Sequence, residues 1–225
     1  MSLHRLLRSL VPALALLAPA AQAGGPDQIY VGSTLVNSFD PNKPPEQHWE
    51  YLALYNQGLA LRELPSGGLD YNNIEKLAEK HDSKVGSFTR AEETMQITWG
   101  RSSRHNQTWE LQASGRDWTR GKDTIFKPAD KVSKDAMKGI WQAGMSMPSN
   151  MVDMSGGGAG GEFIFRSNGE FEQGKKHGHF AIDGYTLTLH DSTGDTRQYA
   201  IYRWPWAPGT ICIGKGKYQL LQSRR

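Results

Sequence analysis

HGHFAIDGYTLTLH, residues 177–190, decides the fold class. Asp183-Gly184 lies between two runs of alternating apolar residues. That dipeptide in that setting signals a two-residue hairpin loop, because a type I′ turn needs positive φ at both central positions. A turn centred there sets Ile182 opposite Tyr185, Phe180 opposite Leu187 and Gly178 opposite Leu189 on one apolar face. The other face then carries His177 opposite His190, His179 opposite Thr188 and Ala181 opposite Thr186. One side requires a core and the other water, as in the wall of an antiparallel sheet or barrel.

Working outward, the same grammar recurs. Trp49 to Arg62 reads as a hairpin in which Tyr51–Tyr55 and Leu59–Leu61 flank Asn56-Gln57-Gly58, a three-residue loop ending in Gly and closed by a G1 bulge. Asn73 is placed to cap a short helix, Ile74 to Lys80, after a Pro/Gly loop over Leu64–Asp70. Strands follow at Val85–Arg90, Thr94–Trp99, around Thr108–Ala113 and at Thr124–Phe126, and a helical turn over 130–138 stops at Gly139. Residues 24–48 are an extended lead-in, broken by Pro41, Pro44 and Pro45, with one strand at Ile29–Val31.

The chain then starts over. Phe163 and Phe165 stand where Leu52 and Leu54 stood, and Gly169 where Gly58 stood; Gly178-His179-Phe180 repeats Gly86-Ser87-Phe88. Leu187-Thr188-Leu189 repeats Met95-Gln96-Ile97, Tyr199-Ala200-Ile201 resembles Trp109-Glu110-Leu111, and Ile211-Cys212-Ile213 resembles Ile125 and its neighbours. The expectation is an all-β antiparallel meander built from two similar halves, about 48–130 and 139–221. Each half offers four or so strands, which alone would leave open edges and a thin core. Joining them into a single barrel of eight to ten strands over 24–225, with one or two short helices in connections, removes both problems. The alternative is two small barrels side by side.

Residues 1–23 read as a secretory signal peptide: Arg5 and Arg8, then apolar Leu10 to Leu17, then Ala21-Gln22-Ala23 as a small-x-small cleavage site. The apolar run is far shorter than the ~20 residues of a membrane span, and no integral membrane segment is expected after cleavage. The product should be periplasmic or secreted. Lys and Arg number 26 against 23 Asp and Glu, so losing Arg5 and Arg8 takes the net charge from +3 to +1 and removes any motive for a nucleic-acid partner. Cys212 is the only cysteine, so no disulfide framework supports the fold. If Ile211 and Ile213 point inward its thiol points outward, although a buried, inert thiol is the commoner case.

Gly139-Ile140-Trp141 has the Gly-x-Trp form of the first barrel strand of lipocalins. With Phe163-Ile164-Phe165 and its turn at Asn168-Gly169, Gly178 before Phe180, Leu187-Thr188-Leu189, and Ile213-Gly214 before Tyr218, the stretch from about 139 to 221 resembles the lipocalin-like, calycin-type barrels of secreted bacterial proteins. The resemblance is looser from about 48 to 126. It implies an apolar small molecule held inside the barrel.

Three groups of residues are candidates for chemistry. The first is the barrel interior, where Phe88, Trp141, Phe163, Phe165, Phe171, Phe180, Leu187 and Leu189 would line a pocket for a small apolar or amphipathic molecule or simply fill a core. The second is the run MSMPSNMVDM, whose Met145, Met147, Met151 and Met154 form either a mobile lid, ahead of the glycines of 156–161, or a soft Cu(I) site. The third is the trio His177, His179 and His190, an exposed polar face or a Zn(II) or Cu(II) site. Tyr202-Arg203-Trp204-Pro205-Trp206 either stacks a planar ligand or closes the barrel as a rim anchor. The glycine run lacks the Lys-Ser/Thr of a phosphate loop, and no nucleophile elbow or Ser-His-Asp order is visible. The reading is a non-enzymatic binding protein with no cofactor. The alternatives are a periplasmic copper-binding protein using 145–154 and an envelope domain that docks a protein partner the sequence does not name.

Overall fold

Apolar-polar alternation closes this chain on itself twice. The computed structural model describes residues 24–36, 42, 44–65, 68–100, 107–144 and 161–222. The first set of strands comprises β1 (Gln28–Val36), β2 (Glu46–Tyr55), β3 (Leu59–Leu61), β4 (Val85–Arg90), β5 (Thr94–Trp99), β6 (Gln107–Ser114), β7 (Asp117–Arg120) and β8 (Thr124–Ala129). The second comprises β9 (Gly139–Ala143), β10 (Glu162–Phe165), β11 (Glu170–Gln173), β12 (Lys176–Asp183), β13 (Thr186–Asp191), β14 (Thr196–Arg203), β15 (Thr210–Ile213) and β16 (Gly216–Gln222). Each set is an antiparallel meander whose last strand pairs with its first: Ile29 with Ala129, and Trp141 with Leu220. Two closed eight-stranded barrels therefore replace the expected single one.

The count of strands explains the difference. Four strands per half could not close, but each half has eight, and a closed barrel has no edges to cover. The lead-in to the first half is itself β1, paired with both β2 and β8. A helix, α1 (Tyr71–Lys80), joins β3 to β4 and starts two residues before the expected cap, with the Ile74 N–H bonded to Asp70 O at 3.2 Å. A 3₁₀ turn at Asp135–Met137 leads into β9, and the Trp141 indole donates to Met137 O at 2.7 Å.

The repeat holds down to individual hydrogen bonds. Gly58 and Gly169 end the second-to-third strand loops with φ of 77° and 88°, and each carbonyl accepts from an equivalent amide, Phe88 or Phe180, at 2.8 Å. Gly86 and Gly178 stand on the fourth strands, where a Cβ would come within 2.5 Å of Thr98 O and 2.0 Å of His190 O respectively. The expected match of Ile211–Ile213 to Ile125 is off by one strand: β15 is seventh in its barrel and corresponds to β7.

The hairpin of 177–190 keeps its faces but not its register. Asp183 pairs with Thr186, Ile182 with Leu187, Phe180 with Leu189 and His179 with His190. The loop is Gly184-Tyr185, with positive φ only at Gly184, as a Gly-X turn of type II′ requires. Partner numbers shift by two, so inward residues stay inward. The slip frees Tyr185, which leaves its own barrel and donates a hydrogen bond to Ala129 O of the first at 2.7 Å.

Three cores result. Tyr30, Leu52, Leu54, Met95, Ile97, Trp99, Trp109, Leu111, Trp118 and Phe126 fill the first barrel. Trp141, Phe163, Phe165, Phe171, Phe180, Leu187, Leu189, Ile201, Ile211, Ile213 and Tyr218 fill the second. A third lies between them, where Ile29, Val31, Ala53 and Tyr55 on the outside of the first barrel meet Tyr185, Ala200, Tyr202, Trp204 and Cys212 on the outside of the second. The expected shared interior does not exist; what the two halves share is an outer face each.

Candidate functional site

In the first barrel the inward phase of the strands runs from apolar middle to charged end. On β2 the inward series Leu54, Leu52 continues to Glu50; on β7 Trp118 is followed by Arg120; past β3 Ala60 leads to Arg62; on β6 Trp109 is preceded by Gln107. All four ends lie at the same mouth, where β1, β3, β5 and β7 finish and β2, β4, β6 and β8 begin. Glu50, Arg62, Gln107, Thr108, Trp109, Glu110 and Arg120 line a recess there of about 510 Å³.

The recess has a rigid and a less committed side. Arg120 forms a two-point bond with Glu50, Nη1 to Oε2 at 2.8 Å and Nη2 to Oε1 at 2.6 Å. Its guanidinium lies 4.0 Å over the Trp109 ring, with the Thr124 hydroxyl at 3.5 Å from Nη2. Thr124 Oγ1 in turn meets Thr34 Oγ1 at 2.8 Å. A planar, forked pair of this kind holds position as well as charge. Among the described residues Arg62 has a neutral hydrogen-bond partner, Gln107 Oε1 at 3.0 Å from Nη1, and lies 5.4 Å from the Trp99 ring. Among the described residues it makes no ion pair. Among the described residues the site thus offers the Arg62 guanidinium and the Glu110 carboxylate without ion pairs, beside the neutralised Arg120–Glu50 pair and Trp109.

The residues expected to line a pocket are distributed differently. Trp141, Phe163, Phe165, Phe180, Leu187 and Leu189 point into the second barrel and are nearly inaccessible. They pack ring on ring, with centroids 5.4 Å apart for Phe163 and Phe165 and 4.9 Å for Phe165 and Phe180. Phe88 is in the first barrel, half-buried. These seven side chains therefore do not gather in one interior. Met145, Met147, Met151 and Met154 lie outside the described residues. His177, His179 and His190 are on the outer face of the second barrel, but the cross-strand pair is His179 with His190, while His177 pairs with Glu172. His190 Nδ1 contacts Thr196 Oγ1 at 2.9 Å. Among the described residues no group of three His, Cys, Asp or Glu is placed to hold a metal ion.

The aromatic segment at 202–206 anchors the barrels to each other. Trp204 and Trp206 pack edge-on against Trp49 at 4.7 and 5.6 Å, the Trp206 indole donates to Val31 O at 3.2 Å, and Lys217 Nζ sits 3.5 Å from the Trp204 ring centroid. Cys212 points away from its own barrel, as Ile211 and Ile213 dictate, yet is buried because the first barrel covers it. Burial pushes its thiol up to about 12, leaving no reactive thiolate at neutral pH.

Sequence reasoning missed Glu50, Arg62, Gln107, Trp109 and Arg120. The signal was present in the phase: each charged or amide residue continues an inward apolar series by two positions. The hairpin expected over Trp49–Arg62 holds Glu50 and Arg62, but β7, which carries Arg120, has no strand signal in the sequence. Comparison of the chain with protein-family models, with curated proteins and with solved structures gives no match, and no family is identified.

Proposed function

We propose that this is a non-enzymatic binding protein of the periplasm or the extracellular space that takes a small amphipathic molecule at the mouth of its first barrel. The observation that carries the reading is Arg62: a guanidinium held by one neutral bond at the edge of a 510 Å³ recess whose other cation, Arg120, is already matched by Glu50. A ligand with an acidic or strongly accepting group gains a charge-assisted bond there, while Trp109 supplies apolar surface in the lining. The location follows from the signal-like residues 1–23.

The lipocalin-type reading is part of this proposal. In its favour, Gly139-Ile140-Trp141 opens an eight-stranded up-and-down barrel as its first strand, with the indole inside. The binding place differs from the one that resemblance implies. Both interiors are occupied by large side chains, so the ligand is assigned to the rim.

Native mass spectrometry of protein purified from the organism that makes it tests the reading. A bound small molecule in wild type that is lost or much reduced in Arg62→Gln is the expected result. No bound molecule, or equal retention by the variant, overturns it.

A further inference from the structure

The mouth of the second barrel that corresponds to the recess of the first carries a mirror of the Arg62–Gln107 pair. There β11 ends at Gln173, the position equivalent to Arg62, and Arg197 is the second residue of β14, on the sixth strand of its barrel as Gln107 is on the sixth of the first. Arg197 Nη1 donates to Gln173 Oε1 at 3.1 Å, so the same strand-three to strand-six bridge is made with donor and acceptor exchanged. Nη1 also reaches the Tyr199 hydroxyl at 3.3 Å. Those two contacts fix the plane of the guanidinium and occupy one of its nitrogens.

The remaining edge is Nε with Nη2. Both atoms are buried, and neither has a hydrogen-bond partner among the described residues. Nε–H and Nη2–H point the same way from a guanidinium and match the two oxygens of a carboxylate. The buried carboxylate of this barrel is committed elsewhere. Asp191 Oδ1 accepts from the Thr193 hydroxyl and from the Thr193 and Asp195 N–H groups, and Oδ2 lies 3.9 Å from Lys176 Nζ. A buried guanidinium edge without an acceptor is costly, and the cost is removed by whatever fills it. Arg197 is half-buried as a residue, so part of it reaches solvent while this edge does not.

We propose that the mouth of the second barrel is a carboxylate-binding site in which Arg197 Nε and Nη2 take the two oxygens of a monocarboxylate from solvent. Gln173 and Tyr199 position the guanidinium, and the ligand contacts Arg197 itself. The site is separate from the first-barrel recess and stands whether or not that reading holds.

The experiment follows the Arg197 Nε–H resonance in protein labelled with ¹⁵N-arginine, assigned by Arg197→Lys, during titration with acetate, benzoate or inorganic phosphate at constant ionic strength. A saturable shift of this one side-chain resonance with both carboxylates, with phosphate binding more weakly, is expected. Calorimetry with benzoate should show about tenfold or greater weakening in Arg197→Lys, which keeps the charge but loses the fork. Gln173→Glu, which supplies an internal carboxylate to the same guanidinium, should weaken binding by a similar factor. Arg62→Gln should leave the shift unchanged. A resonance that does not move, that moves only linearly as with chloride, or that shifts more readily with phosphate overturns the proposal, as does undiminished benzoate binding by Arg197→Lys. Those results would mean that water or a general ionic effect satisfies the edge.

Discussion

Gly178→Ala tests the packing on which closure of the second barrel depends. A Cβ at this position would lie 2.0 Å from His190 O and 2.7 Å from Asp191 Cα. A carbon approaches a carbonyl oxygen no closer than about 3.3 Å without strong repulsion, so β12 and β13 would have to part by more than an ångström. Both obstructing atoms belong to backbone, and no rotamer change relieves them. Parting the strands breaks the Ser192 N–H to His177 O bond, 2.9 Å long, and strains the Gly178–Asp191 pair. Overpacking at about 1–3 kcal/mol plus one or two ladder bonds at about 1 kcal/mol each gives a loss of roughly 2–5 kcal/mol. That is a large share of the total stability of a domain.

Gly184→Ala is the control, because nothing lies within 4 Å of the Cβ it would gain and only the φ of 56° opposes substitution. It should cost about 1–2 kcal/mol. Urea unfolding followed by tryptophan fluorescence gives the midpoints, and Gly86→Ala should behave like Gly178→Ala because its Cβ meets Thr98 O at 2.5 Å. Amide exchange on β5 and β6 of the first barrel should also accelerate in Gly178→Ala, since the core between the barrels joins their stabilities. A Gly178→Ala protein no less stable than Gly184→Ala would refute the close approach of β12 and β13. Unchanged exchange in the first barrel would refute the coupling.

Arg120→Met leaves the Glu50 carboxylate half-buried without its two-point partner and should lower stability by about 1–2 kcal/mol, measured by urea titration; Glu50→Gln/Arg120→Met should recover part of the loss. Tyr185→Phe removes the hydroxyl bond to Ala129 O and should cost about 1 kcal/mol, with faster exchange confined to the edge between the barrels. Cys212 should resist thiol reagents at pH 8 in the folded protein and react fully in denaturant. Because its folded value is raised from 9.0 to about 12, the contribution is fully present below pH 9 and is lost as pH rises towards 12, at about 1.4 kcal/mol per unit. Urea titrations of wild type and Cys212→Ser between pH 8 and 10 should diverge in that direction, before the buried Tyr51, Tyr55 and Tyr202, also held above their ordinary value, add to the loss.

The all-β meander was legible because alternation at Phe180, Ile182, Leu187 and Leu189 survives a register slip of two, and parity, not pairing, decides which face is buried. The number of barrels was not legible from the strands counted. DWTR at β7 is four residues long and carries charge, so alternation alone marks no strand there, and of EFEQ at β11 only Phe171 is expected to point inward. The core between the barrels did leave a trace. Ile29-Tyr30-Val31, Tyr51–Tyr55 and Ala200-Ile201-Tyr202 are apolar on both faces, and a strand apolar on both faces is covered on both. In a single barrel those outward residues would have no cover.

Duplication makes it possible to separate what closes a barrel from what the barrel presents. Gly58 with Gly169 and Gly86 with Gly178 occupy equivalent places because the crossing of neighbouring strands admits nothing larger or demands positive φ. At the mouths the equivalence lapses. Glu50 corresponds to Gly161, Arg120 to Ile213 and Trp99 to Asp191, so the first barrel neutralises one of its arginines at this mouth, and the equivalent positions of the second hold no such pair. What persists is one guanidinium bonded to one carboxamide across strands three and six, with the two residue types exchanged. Closure does not need that bridge, since the eight strands already satisfy one another. Its presence in opposite orientations places the chemical difference between the barrels at their rims, which is where ligand contacts are assigned.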